Sequence, residues 1–99
     1  MIPAKKVEII IEAIKTKKVI GILERLSVEG YTILQDASGA GTHGKYDAEE
    51  LTDVFKNTFF IIVCDEKKAE ELASQMLPIL KKYGGICYMS DVQRVDITK

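Results

Sequence analysis

Residues 30–45 read GYTILQDASGAGTHGK, and the architecture turns on how this stretch changes character along its length. Tyr31, Thr32, Ile33 and Leu34 suit a pleated, half-buried surface, so the stretch opens as a strand running to about Asp36. Gly39, Gly41 and Gly44 then sit among Ser38, Ala40, Thr42, His43 and Lys45. Glycine permits positive φ and close approach of the backbone to a ligand, while hydroxyls and exposed N–H groups hold anions. The segment is therefore a candidate ligand loop. The plainer alternative is a flexible hairpin tip, because Gly, Ser and Thr clusters mark turns generally. Gly39, Gly41 and Gly44 have GxGxxG spacing, but a dinucleotide fingerprint needs a helix to open behind it. Lys45, Tyr46 and Asp47 do not begin one.

Upstream, residues 5–13 alternate, with Val7, Ile9, Ile11 and Ala13 on one face and Lys6, Glu8, Ile10 and Glu12 on the other. That is a strand with one polar face. From Thr16 the period lengthens: Val19, Ile22, Leu23 and Leu26 recur at helical spacing, opposite Lys17, Lys18, Glu24 and Arg25. Thr16 is the expected N-cap and Gly30 the expected exit. Gly21 inside this helix costs up to about 1 kcal/mol against alanine, which close packing on a sheet would explain.

Downstream, Asp47, Glu49, Glu50 and Asp53 form an acidic segment beside a short apolar stripe of Leu51, Val54 and Phe55. Residues 38–55 are too long for an ordinary hairpin, and connections of this length are usually functional or disordered. Metal ligation by these acids has only His43 to help it, so a solvated face is the plainer reading. Residues 57–64, NTFFIIVC, are apolar on both faces, as in a central strand covered on both sides. Asp65 is then the expected N-cap of a helix in which Ala69, Leu72, Ala73, Met76, Leu77, Leu80 and Tyr83 keep the period. Pro78 should kink that helix, Lys81 and Lys82 suit its C-terminus, and Gly84-Gly85 stops it. A last strand is expected from Ile86 to about Ile97.

The order is β-α-β, long loop, β-α-β. Right-handed crossovers in both halves give an α+β, ferredoxin-like antiparallel sheet with both helices on one face. The other face has no covering element, yet strands three and four are apolar on both sides. Self-association is the economical cover.

Composition is compatible with one domain over residues 1–99: 46% apolar residues, 29% charged and a formal net charge of −1. No basic footprint for nucleic acid is present, and the central strands lack the exposed aromatics in a basic surround that RNA readers use. The two cysteines, Cys64 and Cys87, read as buried free thiols in a reducing compartment. The first eighteen residues, interrupted by Glu8 and Glu12, read as neither signal peptide nor membrane span, and a cytoplasmic location is expected.

The chain resembles the PII signal-transduction superfamily, especially the PII-like group that includes regulators of bicarbonate transporters. The resemblance is carried by KKVEIIIEA, KKVIGILE, GYTILQDASGAGTHG and the terminal GGICYMSDVQRV. It implies a homotrimer that binds an adenine nucleotide (ADP, AMP or ATP) in clefts between subunits, with bicarbonate as a further ligand. It also implies a partner-reading T-loop over about 38–54, with a membrane transporter among the partners. The implied nucleotide positions are Thr32, Ser38, Gly39, Ala40, Gly41, Thr42, His43 and Lys45, with Tyr83, Gly84, Gly85 and Ile86 in the turn after the second helix. Gly44, Tyr46, Asp47, Glu49 and Glu50 fall on the implied partner-binding part of the loop. The sequence departs from typical PII proteins in three places. Ile86 stands where they carry a lysine, no arginine follows the last strand, and Thr42 and His43 replace an arginine and a glutamine. A phosphate clamp short of charge-assisted contacts should discriminate weakly between ATP and ADP or AMP. Tyr46 lacks the context of the tyrosine that typical members use for uridylylation.

The resemblance implies a sensor rather than an enzyme. One alternative is a metal-binding trimer of the copper-tolerance type, for which one histidine and two separated cysteines are poor material. Another is an acylphosphatase-like enzyme, which would need an arginine–asparagine pair that is not evident, and His43 has no obvious acid or base partner.

Overall fold

Two βαβ units build the fold, and a computed structural model describes them over residues 1–38 and 56–98. The elements are β1 (Ile2–Glu12), a single 3-10 turn (Ala13–Lys15), α1 (Thr16–Arg25), β2 (Tyr31–Ala37), β3 (Asn57–Cys64), α2 (Glu66–Tyr83) and β4 (Ile86–Arg94). The strands pair antiparallel in the order β2-β3-β1-β4, with both helices packed on one side. This is the ferredoxin-like arrangement expected from the alternation of periods.

Strand ends follow from pairing. β1 begins at Ile2, earlier than the alternation at residues 5–13 suggested, because Ile2 to Ala4 pair with Arg94 to Val92 of β4. The same register ends β4 at Arg94 rather than near Ile97, since β1 offers no partner beyond Ile2. Ala13 leaves the strand for the 3-10 turn, and its N–H donates to the Lys56 carbonyl at 2.8 Å.

Val7, Ile9 and Ile11 of β1, and Thr58, Phe60 and Ile62 of β3, are buried towards the helices. They meet Val19, Ile22 and Leu23 of α1 and Ala69, Leu72, Met76 and Ile79 of α2. Ile79 belongs to this core, whereas Leu77, which periodicity placed there, is 51% exposed. Thr58 is the polar member, and its hydroxyl is satisfied by Thr16 Oγ1 at 2.7 Å. That bond explains why Thr16 is not the N-cap: its hydroxyl faces the core, and Lys15 holds the cap position without a side-chain bond. Asp65 does cap α2, accepting from the Lys68 N–H at 2.8 Å. Gly21 has open space where a Cβ would stand, meeting only the flexible end of Arg25 at 3.9 Å, so close packing on the sheet does not account for it.

The exit of α1 also differs from expectation. Ser27, not Gly30, takes the left-handed conformation, with φ 55°. The Ser27 N–H donates to Glu24 O at 3.1 Å and the Val28 N–H to Leu23 O at 3.3 Å, which is the Schellman pattern. After α2, Gly84 (φ 83°) donates to Leu80 O at 2.9 Å, and Gly85 follows at φ 111°. A Cβ on Gly85 would stand 2.8 Å from the Ile10 carbonyl oxygen and 3.0 Å from Leu80 Cδ2.

Among the described residues, no element covers the sheet's other side. Pairing places Leu34, Phe59, Ile61, Ile10, Ile86 and Tyr88 on it, with the Lys6–Glu8 ion pair (3.5 Å) among them. Leu34 is 51% and Tyr88 59% exposed.

Two substitutions test the turn chemistry. Gly85→Ala should destabilise by about 2–4 kcal/mol in urea unfolding, because the strained φ and the clash with a backbone oxygen add. A loss below a few tenths of a kcal/mol would show that the turn relaxes freely. Ser27→Gly should stabilise by up to about 1 kcal/mol, the left-handed cost outweighing glycine's unfolded-state entropy; a destabilised variant would contradict the Schellman assignment.

Candidate functional site

β2 does not run straight into the glycine loop. Leu34 opposes Phe59 and Ala37 opposes Asn57, so Gln35 and Asp36 together face the single residue Thr58. This is a bulge, and Asp36 sits at φ 61°, a region that aspartate tolerates better than most residues. A bulge twists the strand and re-aims the residues beyond it, here Ala37 and Ser38. Across the opening, Lys56 Nζ lies 3.7 Å from Asp36 Oδ1. Both are substantially exposed, so the pair contributes little to stability, but it marks the closed base from which the loop departs. Sequence reading missed Asp36 and Lys56; a charged residue at the end of a strand before a glycine run is too common to have signalled the bulge.

The turn after α2 reaches the same end of the molecule. Ile86 opposes Ile10, and Glu12 two residues on opposes Asn57, which in turn opposes Ala37. Ser38 and the turn Tyr83–Gly84–Gly85–Ile86 therefore share one end of the sheet, at its two edges. The separation is about three strand spacings, roughly 14 Å. Gly84 and Gly85 are required there by the fold itself, both through positive φ and Gly85 also through its tight approach to Ile10. Ile86 is on the uncovered face, 39% exposed. The Tyr83 ring turns instead towards the helices, under Lys15 Nζ at 3.7 Å from its centroid.

Thr32 does not join this group. It opposes Ile61 on the uncovered face, roughly 18 Å along β2 from Ser38 at strand rise. Gly39, Ala40, Gly41, Thr42, His43 and Lys45 lie outside the described residues, as do Gly44, Tyr46, Asp47, Glu49 and Glu50 of the loop.

The thiols are placed where a shared metal ion is impossible. Cys64 opposes Lys5 and Cys87 opposes Ile9, on strands separated by β1, so their Cα atoms are roughly 16 Å apart by strand geometry. Both are half-buried rather than fully buried, and burial pushes both thiols above their ordinary pKa. At the sheet end opposite the loop base lies a cavity of about 580 Å³ bordered by Ala4, Lys5, Asp65, Glu66, Asp91 and Gln93. The Lys5–Asp91 ion pair lies there, and it raises the Lys5 pKa. Its one lysine is thus already matched to a carboxylate, which makes this cavity a poor anion site.

Comparison with known proteins gives these features a context. No curated protein matches the sequence. Among solved structures, CPII from Thiomonas intermedia K12, a nitrogen regulatory PII-like protein bound to ADP, AMP and bicarbonate, superposes with a TM-score of 0.83 at 29% identity. That match covers 93% of this chain and 88% of the other. CPII bound to ADP and bicarbonate gives a TM-score of 0.81 at 30% identity, again covering 93% and 88%. A crystal structure from Thermus thermophilus, assigned to the PII-like signaling proteins, gives 0.76 at 25% identity and covers 95% and 91%. The family model described as nitrogen regulatory protein P-II matches residues 4–99. With that match spanning both βαβ units and the loop between them, the chain belongs to the P-II family, as a PII-like regulatory protein.

Proposed function

We propose that this protein is a nucleotide-responsive regulator, a homotrimer binding ADP, AMP or ATP between subunits and reporting occupancy through residues 38–54 as its T-loop. The observation that carries the reading is the placement of the loop base and the Gly84-Gly85 turn at opposite edges of one sheet end. Neither station makes a site alone. A neighbouring copy docked edge to edge brings the loop base of one chain towards the turn of the next. The uncovered apolar face gives such copies a reason to associate. The CPII relatives, bound to ADP, AMP and bicarbonate, supply the ligand class.

In this reading Gly39 and Gly41 let backbone amides approach phosphate oxygens, with Ser38, Ala40, Thr42, His43 and Lys45 around them. Thr32, far along β2 on the uncovered face, can meet only the base end of an extended nucleotide. Gly84, Gly85 and Ile86 shape the facing wall, and Tyr83 marks where that wall leaves the helix. Ile86 brings no charge, so ADP and AMP bind at least as well as ATP. Ligand contacts at the loop's base alter the loop's order, and the partner reads that change through Gly44, Tyr46, Asp47, Glu49 and Glu50. The partner class is a membrane transporter, a bicarbonate transporter in particular, with bicarbonate a second ligand and the regulator itself cytoplasmic. No helix among the described residues is long and apolar enough to cross a membrane.

Calorimetric titration with AMP, ADP, ATP and bicarbonate tests the site. ADP or AMP should bind at least as tightly as ATP. Gly41→Val should weaken all three nucleotides by roughly a hundredfold or more, since a side chain blocks the backbone approach, while leaving the assembly intact. A variant that binds every nucleotide like the parent would reduce the glycine loop to a turn, and a strong preference for ATP would contradict the incomplete clamp.

A further inference from the structure

Three lysines converge on one aromatic ring at the helix side of the molecule. Lys15 Nζ stands 3.7 Å from the Tyr83 ring centroid, Lys82 Nζ 5.2 Å and Lys18 Nζ 5.8 Å. They come from the turn after β1, from α1 and from the end of α2, so the fold and not a run of sequence assembles them. The ring's negative face offsets part of the charge, but its close contact is with Lys15, and ammonium groups gathered this tightly repel one another. Among the described residues none of the three forms an ion pair, whereas Lys5, Lys6 and Lys56 each face a carboxylate.

The ring also borders a groove of about 450 Å³ between α1 and α2. Ile22, Pro78 and Ile79 line it, and Arg25 and Gln75, joined at 3.3 Å, lie farther along. Among the described residues no carboxylate lines it. The groove is on the side of the sheet opposite the uncovered apolar face, so association through that face leaves it open.

We propose that the Tyr83 end of this groove is a second anion site, taking a phosphate-class ligand (free phosphate, diphosphate or a phosphate monoester) on Lys15, Lys18 and Lys82. A compact, multiply charged anion answers three cations around one ring. An acidic peptide spreads its carboxylates along a backbone and would engage them singly. The Tyr83 phenol adds a donor. The hydrogen bond from Lys82 and then the charges of Lys15 and Lys82 hold its pKa below the ordinary value, which strengthens O–H donation to an anion. The site uses neither Thr32 nor the glycine loop.

The test is amide NMR of the full chain at low salt, titrated with inorganic pyrophosphate, inorganic phosphate and AMP. Saturable shifts should cluster in residues 15–22 and 78–84. The combined Lys15→Gln, Lys18→Gln and Lys82→Gln variant should weaken pyrophosphate binding by roughly a thousandfold, each of the three charge-assisted contacts being worth about tenfold. Gly41→Val should leave these shifts unchanged, which separates this site from the proposed nucleotide cleft. Tighter groove binding of AMP than of phosphate in the Gly41→Val background would identify a monoester ligand; equal binding would identify the free anion. Absence of saturable shifts in the groove, shifts confined to Thr32 and residues 38–45, or indifference to the triple substitution would overturn the proposal. So would a poly-glutamate peptide occupying the groove where pyrophosphate does not.

Discussion

Everything distinctive about this molecule depends on the sheet having one packed side and one side left bare by the described residues. The packed side is complete: Phe60, Ile9, Ile11, Ile62, Leu23, Leu72 and Met76 are fully enclosed, and the buried Thr58 hydroxyl has its partner in Thr16. The bare side is made by the same strands at alternate positions, because a strand cannot offer one face without offering the other. Phe59, Ile61, Leu34, Ile86 and Tyr88 are therefore fixed in place by a core they do not belong to. A surface so apolar is a liability in a monomer and an asset in an oligomer.

The end of the sheet that carries the candidate site is set by the same register. Ala37, Asn57, Glu12 and the start of β4 fall near one level because β1 and β3 are in step over eight residue pairs. The bulge at Gln35 and Asp36 then breaks the ladder where the loop must leave. Gly84 and Gly85 complete the same end from the other edge. Their role is first structural, since both take positive φ and a Cβ on Gly85 would meet the Ile10 carbonyl. That rigidity fixes the wall of the turn relative to the loop base at the other edge.

Much of this was legible in the sequence, and the failures are instructive. Period-2 alternation in β1 and the doubly apolar NTFFIIVC gave the strands, and Asp65 announced the start of α2 because its cap has a local signature. Thr16 misled because its hydroxyl has two good uses, capping and bonding a buried threonine, and only tertiary structure decides between them. Gly30 misled because a serine took the left-handed position at Ser27, held by two backbone bonds. Leu77 and Ile79 exchanged roles in the helix that carries Pro78. For the candidate site, glycine pattern and resemblance pointed to one end of the sheet, where Ser38 and the Gly84-Gly85 turn both lie. Neither could show that Thr32 stands well apart, nor that Tyr83 turns to meet three lysines. Such long-range convergences leave no mark at any single spacing.

The most direct test of the account is the association state of the chain. Sedimentation equilibrium at micromolar concentration should return three chain masses, and Phe59→Asp, which places a charge within the bare face, should lower the mass towards one chain while the far-ultraviolet circular dichroism is retained. A parent protein that sediments as a monomer would contradict the account, because the loop base and the glycine turn would then remain at opposite edges of one sheet with nothing to bring them together.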